Sequence, residues 1–375
     1  MFGGVCNIYD FIVIGAGISA CTFASCLNKR FSDLSILLVE HGRRIGGRAT
    51  TRKSRKNKIL EYDHGLPSIN FRERISEDIL ELVSPLINSG KLVDISKDIL
   101  LINEFGILSN AFTNDIIYRS SPFMANFCEE IINQSNNPKK INFLFQTLTK
   151  SIKRINSLWE VKVNNGRHIK SKNLILSSSL IAHPRCLNLL KINSLPLRDA
   201  FIPGKDKVVD SLIKETRKLT YIIRKVYIFH VSNLSLSRNF NYQYLQIIFA
   251  NIIREDSNFE RIIFQRQSDG SIIIALHCIV INNLSEMKID DITKSLISLF
   301  ANYKTFSDLF LQASLIDKMD WRASQPLNNL LSKEFQWSDS SKIGFCGDWF
   351  DMNSCVGVES AMNSSLRLVN FVNRN

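Results

Sequence analysis

The chain has 375 residues, 45% hydrophobic and 22% charged, values that exclude a disordered or collagen-like polypeptide. That length buries a large core and accommodates two domains. The formal charge of +12 raises nucleic acid as a partner, but the basic residues are spread along the chain without a helix-turn-helix, zinc-finger or RNP-type pattern.

No apolar run approaches the roughly eighteen residues that cross a bilayer. The N-terminal run 11–14 leads straight into a glycine turn, so it reads as a strand and not as a signal peptide. Eight cysteines, at positions 6, 21, 26, 128, 186, 278, 346 and 355, are scattered without a C-x-x-C pair. They are expected to be small core residues in a reducing compartment, with no metal site. The expectation is a soluble cytoplasmic protein that binds no nucleic acid and does not insert into a membrane.

Residues 9–14 read as a buried parallel strand. The turn Gly15-Ala16-Gly17-Ile18-Ser19-Ala20 follows and opens a helix over 18–28, with Ala20, Phe23, Ala24 and Leu27 on one face. A second strand, 35–39, ends at Glu40. Gly15 permits the tight turn, and Gly17 lets backbone approach a pyrophosphate. The helix N-terminus offers free N–H groups to the phosphates, and Ala20 replaces a third glycine that serves only packing. Glu40 is placed to accept hydrogen bonds from a ribose diol and disfavours a 2′-phosphate, with His41 beside it. The glycine pair in Arg44-Ile45-Gly46-Gly47-Arg48 brings a second stretch of backbone to the diphosphate, and Arg48 adds positive charge. These elements, taken with the C-terminal segment below, point to FAD and to an oxidoreductase.

The cluster Arg52-Lys53-Ser54-Arg55-Lys56-Asn57-Lys58 reads as a solvated basic loop or as a docking patch for a polyanion such as a pyridine dinucleotide. In Asp63-His64-Gly65, Gly65 allows close approach to a ring, and His64 either faces the site or is a structural histidine.

Residues 74–84 are expected to form an amphipathic helix ended by Pro85, and 123–132 another. Antiparallel strands are expected over 151–163, with 174–176 re-entering the first sheet. Residues 225–231, 242–252, 261–267 and 271–280 are strand-like, with a hairpin at Asp269-Gly270, and 289–300 is a helix on that sheet. Trp321 is open to two readings, cavity wall or core. Arg322 pairs with either a substrate anion or a neighbouring acid.

A last strand over 342–346 leads to Gly347-Asp348-Trp349, where Asp348 is placed for a ribitol hydroxyl or the diphosphate end. A helix from Gly357, carrying Val358, Glu359 and Ala361, would aim its N-terminal amides at the pyrimidine edge of a flavin. Cys346 and Cys355 match no covalent flavin attachment motif, so non-covalent FAD is expected.

Val39-Glu40, Arg44-Ile45-Gly46-Gly47-Arg48, Asp63-His64-Gly65, Met319 through Pro326 and Gly357-Val358-Glu359-Ser360-Ala361 together resemble the flavin-containing amine oxidase superfamily, particularly its renalase-like branch. The likeness spans the chain, and its length suits that smaller branch. It implies an α/β fold: a discontinuous Rossmann-like FAD-binding domain on a parallel sheet (1–72, 140–188 and 335–375) and an inserted α+β substrate domain on an antiparallel sheet (73–139 and 189–334). It also implies hydride transfer from a small substrate to flavin N5, with reoxidation by O2. The substrate would be a dihydropyridine nucleotide isomer or an amine. His64, Trp321, Arg322 and Trp349 are the candidates to line the flavin. Leu66-Pro67-Ser68 and Ser178-Ser179-Leu180 depart from the family pattern where substrate contacts fall. A desaturase or isomerase of a lipophilic substrate, and a flavin-binding protein without turnover, are the alternatives.

Overall fold

The apolar run at the N-terminus becomes β1 (Ile8–Ile14), with Phe11 and Val13 in one hydrophobic cluster and Ile12 in another. A strand buried on both faces belongs in the middle of a sheet covered by helices. The structure is a computed structural model and describes residues 8–54, 57–72, 75–111, 115–280, 288–328, 330–350 and 357–372. Helix α1 (Ile18–Arg30) and strand β2 (Ile36–Val39) complete a right-sized βαβ start.

β1 lies between β2 and the strand His168–Leu176, parallel to both. Ile141–Leu144 adds in parallel beyond β2, and Ile343–Phe345 beyond Leu174–Leu176. The antiparallel strands Leu158–Val163, Thr149–Ile155 and Trp337–Ser338 extend it to eight strands. On one face α1 packs against the C-terminal helix Val358–Val372 through small residues, and Ser365 Oγ donates to the Ser19 carbonyl at 2.9 Å.

The second sheet has seven strands in the order Ser314–Asn328, Thr220–Val231, Ile272–Ile279, Phe259–Arg266, Tyr244–Phe249, Ile99–Ile102, Leu108–Asn110. Its pairs are antiparallel except Tyr244–Phe249 with Ile99–Ile102. Alternation gives it two unlike faces. One buries Phe249, Phe264, Phe300, Phe306 and Phe310 with the helices Ile289–Leu299 and Lys304–Gln312. The other places Val226, Ile228, Ile263 and Ala275 against Leu60 and Tyr62 of the hairpin β3 (Thr51–Lys53) and β4 (Glu61–Asp63). The architecture is therefore α/β with a second, antiparallel-rich sheet.

Several local expectations change. Helix α2 runs Glu77–Asn88 with Pro85 inside it, so Pro85 does not end the helix. Pro85 faces solvent, as does Glu81, whose carbonyl loses its helical partner and is free to be hydrated. Burial of Leu82, Val83 and Leu86 outweighs the missing bond. The expected strand 242–252 stops at Phe249, and a helix Asn251–Ser257 follows. Helix α3 is Ala125–Asn133. A small sheet of Ile69–Phe71, Ile116–Ser120 and Leu92–Asp94 has no counterpart in the sequence reading. Strands of three to five residues carry too little alternation to stand out.

Candidate functional site

The carboxyl ends of the parallel strands converge on one edge, the edge where open α/β sheets bind ligands. Gly15 leaves β1 with φ +110°, a conformation reserved for glycine, and a Cβ there would stand 2.4 Å from Ser177 Oγ. Gly17 forms the N-cap of α1 without a side-chain cap, and the first turn holds no acidic residue. No residue of α1 itself therefore neutralises its positive pole. The second glycine loop docks directly on the first. Gly46 N donates to the Ala16 carbonyl at 2.8 Å, Gly17 and Gly46 form a parallel bridge, and a Cβ on Gly47 would sit 3.0 Å from Gly17 Cα.

Glu40 closes this cradle. Its Oε2 accepts from Ala16 N at 2.9 Å and its Oε1 from Gly42 N at 2.5 Å. Each oxygen keeps a lone pair for a ribose hydroxyl. The lining is backbone, a helix pole and one carboxylate, which is the donor and acceptor set a dinucleotide diphosphate and ribose require. FAD fits this chemistry.

Arg48 ties the cradle to the other end of the chain. Its Nη1 and Nη2 donate to Asp348 Oδ2 and Oδ1, both at 2.7 Å, and Nη1 also reaches the Ser324 carbonyl at 2.8 Å. Ser324 Oγ accepts from Arg224 Nη1 at 2.8 Å, and Arg224 makes a two-pronged pair with Glu260 at 2.6 and 2.7 Å. A charge-assisted chain therefore runs from the first sheet's edge into the second sheet.

Gly65, His64 and Trp321 gather beside Arg48. A Cβ on Gly65 would lie 2.1 Å from the Arg48 carbonyl and 3.0 Å from Trp321 Cζ2, so only glycine fits. Trp321 Nε1 donates to the His64 carbonyl at 3.1 Å, and the two rings stack at 5.4 Å. The His64 imidazole is buried, and its Nδ1 has no hydrogen-bond partner. Burial, aided by the Arg52 charge, lowers its pKa to about 4, so it is neutral at pH 7.

Other candidates stand elsewhere. Trp349 is a core residue: it is 2% exposed, packs on Phe345 and Phe350, and donates to the Cys346 carbonyl at 2.8 Å. It also explains Gly347, where a Cβ would fall 2.2 Å from Trp349 Nε1. The Glu359 carboxylate is held by Arg72 at 2.6 and 3.0 Å. His41, Arg44 and Arg322 are exposed, and Arg44 approaches Glu61 at 3.5 Å. Ile18 is half-buried, and Val358 and Ala361 are buried in the C-terminal helix. Gly357 has φ +115° and open space where a Cβ would point. Cys346 is buried with its thiol pushed up to about 12, which disfavours attachment chemistry there. Cys6, Cys355, Arg55 and Lys56 lie outside the described residues. In the basic loop, Arg52 pairs with Asp317 at 3.1 Å and Lys53 with Glu61 at 2.8 Å.

Sequence reasoning missed two groups. Asp63 accepts from Thr51 Oγ1, Met124 N and Arg119, whose guanidinium lies 4.7 Å above the Tyr244 ring. This knot fixes the β3–β4 hairpin to α3 and the second sheet. The other group is Arg224, Glu260, Arg261 and His277 on the second sheet. Its signal was present: a histidine inside an otherwise apolar strand, and charged residues flanking apolar runs, are groups that burial must satisfy.

Residues 13–84 match an NAD(P)-binding Rossmann-like domain family. No curated protein matches this chain by sequence. Among solved structures, the chain is similar to a provisionally named protoporphyrinogen oxidase from Exiguobacterium sp. 255-15, with a TM-score of 0.64 at 11% identity, covering 97% of this chain and 98% of that one. A putrescine oxidase variant with redesigned cofactor binding gives 0.61 at 11%, covering 98% and 99%. A fatty acid isomerase from P. acnes gives 0.59 at 10%, covering 98% of each. At these identities the likeness establishes the fold. No helix among the described residues is long and apolar enough to cross a membrane.

Proposed function

We propose that the chain is a non-covalent FAD-dependent oxidoreductase that removes a hydride from a C–H bond of a small substrate. The substrate is a dihydropyridine nucleotide isomer or an amine, as in the renalase-like branch, and O2 is the reoxidant. The observation that carries the reading is the Arg48–Asp348 pair, which brings the two distant flavin-type segments to one sheet edge beside an uncapped helix pole. The similarity in fold to a protoporphyrinogen oxidase and a putrescine oxidase supports it.

In this reading residues 1–72, 140–188 and 335–375 hold the cofactor and 73–139 and 189–334 the substrate. The amides of Gly17, Ile18 and Ser19 and the Gly46–Gly47 backbone hold the diphosphate, with Ala16 N orienting Glu40 toward the ribose. Asp348 accepts from a ribitol hydroxyl, and Arg48 supplies charge to the diphosphate end. FAD, when bound, supplies hydride acceptance at N5. Gly65 admits the ring edge, and the stacked His64 and Trp321 exclude water from it. The neutral His64 imidazole brings no positive charge that would oppose hydride loss from the substrate. Polar residues on the inner face of the second sheet, Arg224, Arg261 and His277, disfavour the alternative of a lipophilic substrate.

The test is the visible spectrum of the purified protein, then anaerobic mixing with dihydropyridine nucleotides and an amine panel. The expected result is a flavin spectrum that bleaches rapidly and recovers in air with hydrogen peroxide release. A yellow protein bleached by no pyridine nucleotide and no amine would sink the proposed substrate class.

A further inference from the structure

Two arginines and a buried histidine share the inner face of the second sheet with one carboxylate, Glu260. Arg224 and Arg261 both bond Glu260, the carboxylate between them, and both act on it electrostatically. Glu260 is 3% exposed and binds Arg224 at 2.6 and 2.7 Å and Arg261 Nη2 at 3.1 Å. Burial alone would raise its pKa, but the Arg224 hydrogen bonds and the Arg261 and Arg224 charges outweigh that and hold it to about 2. Two guanidinium groups on one carboxylate leave one positive charge that this carboxylate does not balance.

Arg224 is used up, with Glu260 on one edge and Ser324 on another. Arg254 donates Nε to the Phe249 carbonyl at 2.9 Å. Arg261 is different. Its one side-chain bond among the described residues is to Glu260, its side chain is 23% accessible, and the other N–H donors of the fork are open. Directly across the ladder from it is His277, fully buried, with an Nε2 that has no partner. The buried ring nitrogen calls for a partner, and the open donors of Arg261 stand opposite it on the neighbouring strand of the same face.

Register places this pair toward the flavin-side residues. Arg261 pairs with His277, His277 with Val226, and Arg224 with Trp321, all on the face that packs toward β4 and His64. We propose that Arg261 and His277, backed by Arg224 and Glu260, form an oxyanion subsite that binds a phosphate or carboxylate group of the substrate. The inference rests on the oxidoreductase reading and narrows it: a phosphate-bearing dihydropyridine nucleotide satisfies the subsite, and a simple amine cation is repelled by it. Glu260 keeps the fork of Arg261 rigid, so little conformational freedom is lost when the anion arrives.

The test is isothermal titration calorimetry of the purified protein with inorganic phosphate and, separately, with acetate. Wild type, R261Q, R261K and the control R217Q, at an exposed residue just after the helix Lys207–Thr216, are compared, with thermal midpoints measured for each. One anion is expected to bind in a one-to-one ratio, and the arm that binds tells phosphate from carboxylate. Binding should weaken about tenfold in R261Q, less in R261K, which keeps the charge but loses the fork, and not at all in R217Q. No binding in either arm, or equal affinity in R261Q, overturns the subsite. If R261Q does not fold, unchanged affinity in R261K does the same. The calorimeter reads the anion whether or not flavin is present. A yellow protein that binds neither anion overturns the subsite alone, and a colourless protein that takes up no FAD overturns the oxidoreductase reading and the subsite's role in it.

Discussion

Arg48 and Asp348, 300 positions apart in sequence, meet in a two-pronged pair with both N···O distances at 2.7 Å. Asp348 is nearly enclosed, with 6% of its side chain accessible, whereas Arg48 retains 41%. Removing the arginine strands a buried carboxylate, and removing the carboxylate leaves a cation that water can still reach. R48M is therefore expected to lower stability by about 2 kcal/mol, below the cost for a fully enclosed pair because water screens one partner. D348N keeps the shape and should cost less stability while reducing flavin retention. Thermal unfolding with the flavin-to-protein ratio separates the two, and equal behaviour of both variants would contradict this assignment.

The two turn glycines predict opposite kinds of damage. Gly17 has φ −83°, and a Cβ there meets only Gly47 Cα at 3.7 Å and Gly46 O at 3.8 Å, ordinary contacts. G17A should change stability by less than about 1 kcal/mol. It should nevertheless weaken FAD binding, because the methyl group occupies the approach of the diphosphate. Gly15 has φ +110° and would clash with Ser177, so G15A should cost roughly 1–3 kcal/mol in strain before any ligand is considered. Flavin titration of the apoprotein and calorimetric unfolding give the two readouts; a G17A protein that binds FAD as wild type does would remove Gly17 from the cradle.

Legibility followed distance along the chain. The strand, the Gly15–Gly17 turn, α1 and Glu40 were readable because one βαβ unit contains all their constraints within about thirty residues. The antiparallel second sheet was readable for the same reason, since hairpins such as Gln267 to Ser271 are local. What was not readable depends on contacts across the chain. Trp349 and Trp321 look alike beside their motifs, but the turn at Gly347 folds Trp349 back onto Phe345, whereas the register with Arg224 brings Trp321 to His64. Pro85 looked like a helix end because its exposure is invisible in one dimension. Arg261 and His277 looked unrelated, sixteen positions apart on two strands, until the ladder paired them.

Glu359 belongs to the C-terminal motif, yet its carboxylate is 2% exposed and bound by Arg72 Nη2, Nε and backbone N at 2.6, 3.0 and 3.1 Å. It straps residue 72 to the first turn of the C-terminal helix, where an acidic group also suits the helix dipole. E359Q should lower stability by about 1–3 kcal/mol, since the amide keeps one acceptor but offers no charge to the guanidinium. The folded fraction should keep its full complement of flavin. Loss of flavin at an unchanged unfolding temperature would make Glu359 a cofactor ligand instead of a strap.

His277 sets an acid limit on the fold. Burial, with the charges of Arg261 and Arg224 added to it, lowers its pKa from 6.5 to about 3. Between those values the unfolded chain binds a proton that the folded chain refuses, so stability rises with pH across the window and is lost as pH falls through it. His64, lowered to about 4, acts in the same direction over the upper part of that range. The contribution of His277 reaches on the order of 5 kcal/mol at full extent. H277F fills the same space without a titrating group or an unpartnered Nε2, so its unfolding midpoint should vary less between pH 4 and 6.5 than that of the wild type. Denaturant unfolding at half-unit pH steps measures the slope. Parallel curves for the two proteins would show that His277 is not the group that resists acid, and an anion held by Arg261 should leave the wild-type slope shallower by stabilising the protonated ring.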